Sequence, residues 1–250
     1  MSQHEIRNIA FVGQTGTGKT GAFAIPMAAK LLNNEDESVI VMTPTRELAT
    51  QVTKVFCQLL PKDKSIKTAL LIGGENIQKQ LKQLKAGPRL IVGTPGRIND
   101  HLQRGTLSLR TTRSLVLDEM DRMLDMGFDV QIAKIIGKMP AERQTLMFSA
   151  TLPRKIEGLA SKYLVNPERV TVGQESTAGK DIEQNVALVS VQEKYDHLLD
   201  QLNQREGSII LFVKTKRGAD RLAVKLSAAG HESAAIHGDL KQSKRERVLS

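Results

Sequence analysis

The chain has 250 residues, 40% hydrophobic and 25% charged, which excludes a disordered or low-complexity polymer and allows one or two globular domains with a sizeable core. Its 36 basic and 27 acidic residues give a formal charge of +9, which favours a polyanionic partner through release of condensed counterions. With no Trp, 2 Tyr and 6 Phe there are few rings for base stacking, so a nucleic acid is expected to be gripped by its backbone rather than read by its bases.

The apolar run Ile9 to Val12 predicts a strand, and Ala22, Phe23 and Ile25 begin a helical pattern. Between them stand Gly13, Gln14, Thr15, Gly16, Thr17, Gly18, Lys19 and Thr20, a complete G-x-x-x-x-G-K-[ST] phosphate loop. Such a loop turns successive backbone N–H groups toward one point at a helix N-terminus, where a polyphosphate fits. Lys19 is expected to reach the β and γ phosphates of ATP, and the Thr20 hydroxyl to enter the inner shell of a Mg²⁺ ion.

Strands follow near Val39 to Thr43, Thr68 to Ile72, Leu90 to Val92, Leu115 to Leu117, Thr145 to Phe148 and Val170 to Val172, alternating with helical patterns such as Leu48, Val52, Val55, Phe56, Leu59. This alternation predicts an α/β fold, a mostly parallel sheet with helices on both faces, with ligands at the carboxyl ends of the strands. Cys57, the one cysteine, lies in a helical pattern and reads as a small buried hydrophobe in a reducing compartment. The apolar runs are only strand-length and the N-terminus has no basic-then-apolar stretch, so neither a membrane span nor a signal peptide is expected.

After the strand pattern Ser114 to Leu117 comes Asp118-Glu119-Met120-Asp121. A carboxylate at a strand end can hold a metal shell opposite the phosphate loop, and its neighbour can orient and deprotonate water. Asp118 takes the metal role and Glu119 the water role. Farther on, residues 173–180 are polar and read as a linker between a first domain, 1–172, and residues 181–250, too few for a second full domain of the first kind. There the pattern restarts, with strands expected near Asn185 to Val191, Ile209 to Val213 and Ser233 to Ile236 and helices near Tyr195 to Asn203 and Lys216 to Ala229.

The phosphate loop, Pro44-Thr45-Arg46-Glu47-Leu48-Ala49, Gly73-Gly74, Thr94-Pro95-Gly96-Arg97, Asp118 to Asp121 and Ser149-Ala150-Thr151 occur in an order and spacing that resembles the DEAD-box RNA helicases. The resemblance implies a RecA-like P-loop NTPase fold, a partial second RecA-like domain, a cytoplasmic setting and RNA-dependent ATP hydrolysis coupled to local duplex unwinding. It implies that Pro44, Thr45, Arg46, Gly73, Gly74, Thr94, Pro95, Gly96 and Arg97 face RNA in the first domain. Thr215, Gly238, Gln242 and Arg245 would do so in the second. Asp121, Ser149 and Thr151 would couple ATP state to domain closure, the hydroxyls bonding toward the acidic motif. His237, without Cys or His partners at ligand spacing, reads as structural or phosphate-side rather than metal-binding.

Departures from that pattern are Met120 and Gly13, each where the family has Ala, the lack of an upstream adenine-recognising glutamine motif, for which Gln3 stands too close to the loop, and the lack of the late arginine-bearing segment. The expected product is therefore an incomplete helicase. A non-catalytic RNA- and nucleotide-binding fragment and a DNA-acting ATPase with the same core fit the same motifs.

Overall fold

The computed structural model describes residues 8–14, 16–61, 65–151, 158, 162–172 and 183–249. The chain divides into two units, residues 1–175 and 176–250. The expected linker, Thr15 and Gln3 lie outside the described residues.

The first unit holds a seven-stranded sheet: β1 Ile9–Gly13, β2 Val39–Met42, β3 Thr68–Leu71, β4 Leu90–Gly93, β5 Ser114–Leu117, β6 Gln144–Ser149 and β7 Glu168–Val172. All neighbours pair in parallel, in the order β3-β4-β2-β5-β6-β1-β7. Among the described residues the helices interleaved with the strands include α1 Lys19–Asn33, α2 Arg46–Leu59, α3 Ile77–Lys85, α4 Pro95–Gln103, α5 Met120–Asp125 and α6 Asp129–Ile136.

Strand side chains alternate between the faces, and each face buries its own core. Ile40, Met42, Leu115 and Leu117 join Ile98, Met120, Met123 and Ile132 on one face. Val39, Val41 and Val116 join Phe23, Met27, Val52 and Phe56 on the other. The ring of Phe23 lies 5.2 Å from Phe148 and 6.3 Å from Phe56, which fixes α1, the helix that follows the phosphate loop, against the sheet. On α2 the inward stripe is Ala49, Val52 and Phe56. Cys57, one position past that stripe, is exposed rather than buried as expected, because a step of 100° takes it off the inward face.

The second unit contains α7 Lys194–Asn203, α8 Lys216–Ala228 and α9 Gln242–Leu249. Its helices fall where expected, but residues 185–191, 209–213 and 233–236 are not strands. Exposure still alternates from His231 to Gly238, as on a strand, yet no ladder partner is present among the described residues. A parallel strand has no local hydrogen-bonding partner and forms only when neighbours align beside it. Val186, Leu188 and Phe212 accordingly remain 89%, 97% and 93% exposed.

Candidate nucleotide and nucleic-acid site

Register sets the site. Leu71 aligns with Gly93, Gly93 with Met42, Met42 with Leu117 and Leu117 with Met147. Across β6, Val12 aligns with Ser149. The sequence motifs that follow these residues therefore lie along one carboxyl edge, spaced by about 4.8 Å per strand. Strand order sorts them: the segments after β3, β4 and β2 bring Gly73-Gly74, Thr94 to Arg97 and Pro44 to Arg46 together on one half. Those at β5, β6 and β1 bring Asp118 to Asp121, Ser149 to Thr151 and the phosphate loop together on the other.

In the phosphate loop Gly16 and Gly18 have φ of 85° and 83°, the left-handed region open mainly to glycine. Gly18 is the N-cap of α1 and has no side chain to cap it, and no acidic residue lies in the first turn. The positive end of the helix dipole is thus uncompensated by the protein's own side chains. Lys19 folds back, its Nζ donating to the Gly13 and Gln14 carbonyls at 2.5 and 2.8 Å, while the Thr17 hydroxyl donates to the Gln14 carbonyl at 2.7 Å. A Cβ on Gly13 would lie 2.9 Å from a Phe11 ring carbon and 3.0 Å from the Thr17 hydroxyl, so the loop is packed for glycine here.

Asp118 is buried at the end of β5, and its Oδ1 accepts the Glu119 N–H at 3.0 Å. Burial first, then repulsion from Glu119, pushes its carboxyl up to about 6, against weaker pulls from that hydrogen bond and from Lys19. Glu119 has φ 50°, an uncommon conformation for a residue with a side chain, at the turn into α5. Its Oε2 meets Arg122 Nη1 at 3.3 Å. Met120 finds its room in the core, where it is fully buried.

Asp121 reaches across to the segment after β6. Its Oδ2 accepts the Ala150 N–H at 3.1 Å, the Thr151 N–H at 3.0 Å and the Thr151 hydroxyl at 3.1 Å. The Ser149 hydroxyl behaves otherwise: it is buried and makes no hydrogen bond among the described residues. Of the two hydroxyls expected to bond toward the acidic motif, only that of Thr151 does so, because Ser149 is the last residue of β6 and its side chain is turned into the protein.

On the other half, the Arg46 guanidinium lies against Gly73, where an added Cβ would be 3.2 Å from Nη2. Gly74 has φ 78°. Thr45 caps α2, its hydroxyl accepting the Leu48 N–H at 3.2 Å. Thr94 stands at the N-cap position of α4 without a side-chain capping bond, and Pro95 opens the helix, with the Thr94 N–H donating to the Leu71 carbonyl at 3.1 Å. Arg97 lies 3.9 Å from Asp100, but Asp100 bonds Arg104 at 2.7 Å, and that bond lowers its carboxyl pKa most.

Sequence reasoning missed Gly93, Gln80 and His101. A Cβ on Gly93 would overlap the Leu71 carbonyl, and only the register of β3 on β4 exposes that. Gln80 and His101 are fully buried polar residues whose helical spacing alone gives no hint of a shared partner.

In the second unit, Thr215 caps α8 through the Gly218 N–H at 3.0 Å. His237 Nε2 lies 3.0 Å from Asp220, and Lys216 binds Asp239 at 2.6 Å, so the loop holding Gly238 is tied to α8. Gln242 is buried at the start of α9, which also carries Arg245.

A parallel sheet with a glycine loop and a bare helix N-terminus at one carboxyl edge, and a buried aspartate two strands away, defines a P-loop NTPase of RecA-like fold. The chain belongs to the DEAD/DEAH box helicase family, whose profile matches residues 2–159; that of the helicase conserved C-terminal domain matches residues 193–250. It is 43% identical to the DEAD-box ATP-dependent RNA helicase CshA of Bacillus licheniformis over 239 residues, covering 94% of this chain and 49% of that protein. With the protein of the same name from Geobacillus kaustophilus it shares 43% identity over 238 residues, covering 94% and 51% respectively. A solved DEAD box protein from the hyperthermophile Methanococcus jannaschii superposes with a TM-score of 0.62 at 40% identity, covering 97% of this chain and 65% of that one. The chain spans about half the length of the curated relatives it matches.

Proposed function

We propose that this chain binds ATP at the phosphate loop and RNA along the adjacent half of the same edge, as part of an ATP-dependent RNA helicase that hydrolyses ATP to separate short duplexes. The observation that carries the reading is the sorting of the edge: nucleotide-type motifs at β5, β6 and β1, backbone-gripping motifs at β3, β4 and β2.

In this reading the loop N–H groups, with Gln14 and Thr17 lining the turn, cradle the phosphates, and Lys19 leaves the Gly13 and Gln14 carbonyls to meet the β and γ oxygens. Asp118 and Thr20 are the residues that would hold Mg²⁺. The donor set fits: a buried carboxylate repelled by a neighbour is relieved by a dication. When bound, the ion neutralises charge on the phosphate oxygens. Glu119 accepts a proton from a water whose oxygen attacks the γ phosphorus, and the bond to the bridging oxygen breaks, releasing ADP and phosphate.

For RNA, Arg46 and Arg97 supply charge, the bare glycines let a sugar-phosphate chain approach the main chain, and Thr45 and Thr94 supply hydroxyls. We assign residues 1–172 to the first domain, 173–180 to the linker and 181–250 to part of the second, and within that second part we assign Thr215, Gly238, Gln242 and Arg245 to RNA contact. Ser149 belongs to the coupling set only if its buried hydroxyl gains a partner in the nucleotide-bound state. A cytoplasmic setting fits the single, exposed Cys57, and no helix among the described residues is long and apolar enough to cross a membrane.

The test is phosphate release with and without single-stranded RNA, alongside binding of ATP, RNA and matched DNA. RNA-stimulated release that Glu119→Gln abolishes while ATP stays bound supports the reading. Release unaffected by Glu119→Gln moves the base elsewhere, and equal response to DNA makes the chain a DNA-acting ATPase. Binding of both ligands with no release leaves a binding module.

A further inference from the structure

Beneath the RNA-type half of the edge runs a chain of buried polar groups that no step above uses. Gln80, on α3, is fully buried, and its Nε2 donates to the Ile72 carbonyl at 3.0 Å and, more weakly, to the Glu75 carbonyl at 3.5 Å. Those carbonyls immediately precede and follow Gly73-Gly74, so one amide brackets the glycine pair from both sides. Its Oε1 faces His101 Nε2 at 3.3 Å. His101, also fully buried, lies on α4, the helix that begins at Pro95-Gly96-Arg97. Its Nδ1 is 2.9 Å from the Thr106 hydroxyl.

The roles of these atoms follow from the fixed carbonyls. Because the Gln80 NH₂ is held by two acceptors, its Oε1 must face His101 and accept, which requires the proton on Nε2. The Thr106 hydroxyl, 2.9 Å from Nδ1 and 3.1 Å from the His101 carbonyl, then shares its one proton between these two acceptors. The neutral ring is fully satisfied in this arrangement, and burial, followed by the charge of Arg97, holds the His101 pKa below its ordinary value.

We propose that Gln80 and His101 are positioning residues that cross-link the Gly73-Gly74 turn to the Thr94 to Arg97 helix start, setting the spacing at which both meet an RNA backbone. The link is needed because glycines cannot hold a turn by packing, and Gly74 sits in a conformation that an unrestrained chain samples freely. A buried amide with every hydrogen bond made is a stiff strut, whereas the same site with a partner removed carries unpaired carbonyls. The inference rests on the RNA reading of these two segments.

The experiment uses the full chain and the variants Gln80→Met, His101→Leu and His101→Gln, the last placing an amide nitrogen near the original Nε2. Readouts are the thermal melt, hydrogen exchange of peptides covering residues 72–80 and 94–101, ATP binding, and anisotropy of a labelled single-stranded oligoribonucleotide. Gln80→Met and His101→Leu are expected to speed exchange in both segments and weaken RNA binding by about tenfold, with ATP binding within about twofold of the parent. His101→Gln is expected to restore both exchange and RNA affinity, and its comparison with the parent decides the matter if the apolar variants melt too low to assay. Unchanged exchange in folded Gln80→Met, or failure of His101→Gln to differ from His101→Leu, overturns the cross-link. Faster exchange with unaltered RNA affinity overturns the role of the link in RNA binding, while the RNA reading of these loops fails separately if Arg97→Ala in the same assay also leaves RNA affinity unaltered.

Discussion

A single oxygen of Asp121 holds Thr151 twice, accepting its backbone N–H at 3.0 Å and its hydroxyl at 3.1 Å, with the Ala150 N–H added at 3.1 Å. The acidic turn after β5 is thereby fastened to the end of β6, the strand that separates it from the phosphate loop. Replacing Asp121 with Ala is expected to speed hydrogen exchange at Ala150 and Thr151 and to lower unfolding free energy by about 1–3 kcal/mol. Thr151→Val, which loses one bond of the three, should fall between. Unchanged exchange at both amides in Asp121→Ala would contradict the fastening.

Met120 separates stability from chemistry. Its side chain is fully buried in the core and carries no polar group that could touch substrate. Met120→Ala is expected to cost about 2–5 kcal/mol in denaturant unfolding while leaving any phosphate release per folded molecule near the parent's. A large loss of turnover at unchanged stability would place Met120 in the site.

Gly93 tests the register on which the site depends. A Cβ there would overlap the Leu71 carbonyl across the β3–β4 pair. Gly93→Ala is expected to push these strands apart, free the Thr94 N–H from Leu71, and destabilise the unit by about 1–3 kcal/mol. Substitution at Gly96, where the nearest atom to an added Cβ is Gln131 Oε1 at 3.5 Å, should cost far less. Equal melts for the two variants would contradict the packing described.

His101 gives stability a pH dependence. In the unfolded chain it titrates near its ordinary value of about 6.5, whereas burial and then Arg97 depress the folded value; Asp100 opposes them and Arg104 assists, and Gln80 and Thr106 face it as neutral groups. Below about 6.5 the unfolded chain takes up a proton that the folded chain does not, so this contribution to stability is complete above that pH and is lost as pH falls toward the folded value. Chemical unfolding at pH 7.5, 6.5 and 5.5 should show a steeper decline for the parent than for His101→Gln. Parallel curves would mean that His101 takes up its proton alike in the folded and unfolded chain, which would contradict the buried neutral ring.

Most strands of the first unit are legible in the sequence because each is a short, mainly apolar run, the pattern of a parallel sheet covered on both faces; β7, polar at Glu168 and Arg169 and exposed along its length, shows only as Val170 to Val172. The phosphate loop and Asp118 are legible because their chemistry depends on consecutive residues. Strand order is not, since nothing in Val39 to Met42 says that β4 and β5 will flank it, and so the division of the edge into two halves is not legible either. Gln80 and His101 escape for the same reason: their meaning is a contact between two helices 21 residues apart in sequence. In the second unit the apolar runs near Ile209 and Ser233 carry a strand pattern, but a strand is a property of pairs, and the partners are not there among the described residues.

The division of the edge is tested most directly by titrating ATP and single-stranded RNA separately against Lys19→Ala and Arg97→Ala. Lys19 lies in the phosphate loop and Arg97 at the start of α4, on opposite halves of the strand order. Lys19→Ala is expected to lower ATP affinity by at least about tenfold and leave nucleotide-free RNA binding within about twofold, while Arg97→Ala does the reverse and lessens the salt dependence of RNA binding. If each variant weakens both ligands equally, or if Lys19→Ala binds ATP as the parent does with an unchanged melt, the edge is not divided as described.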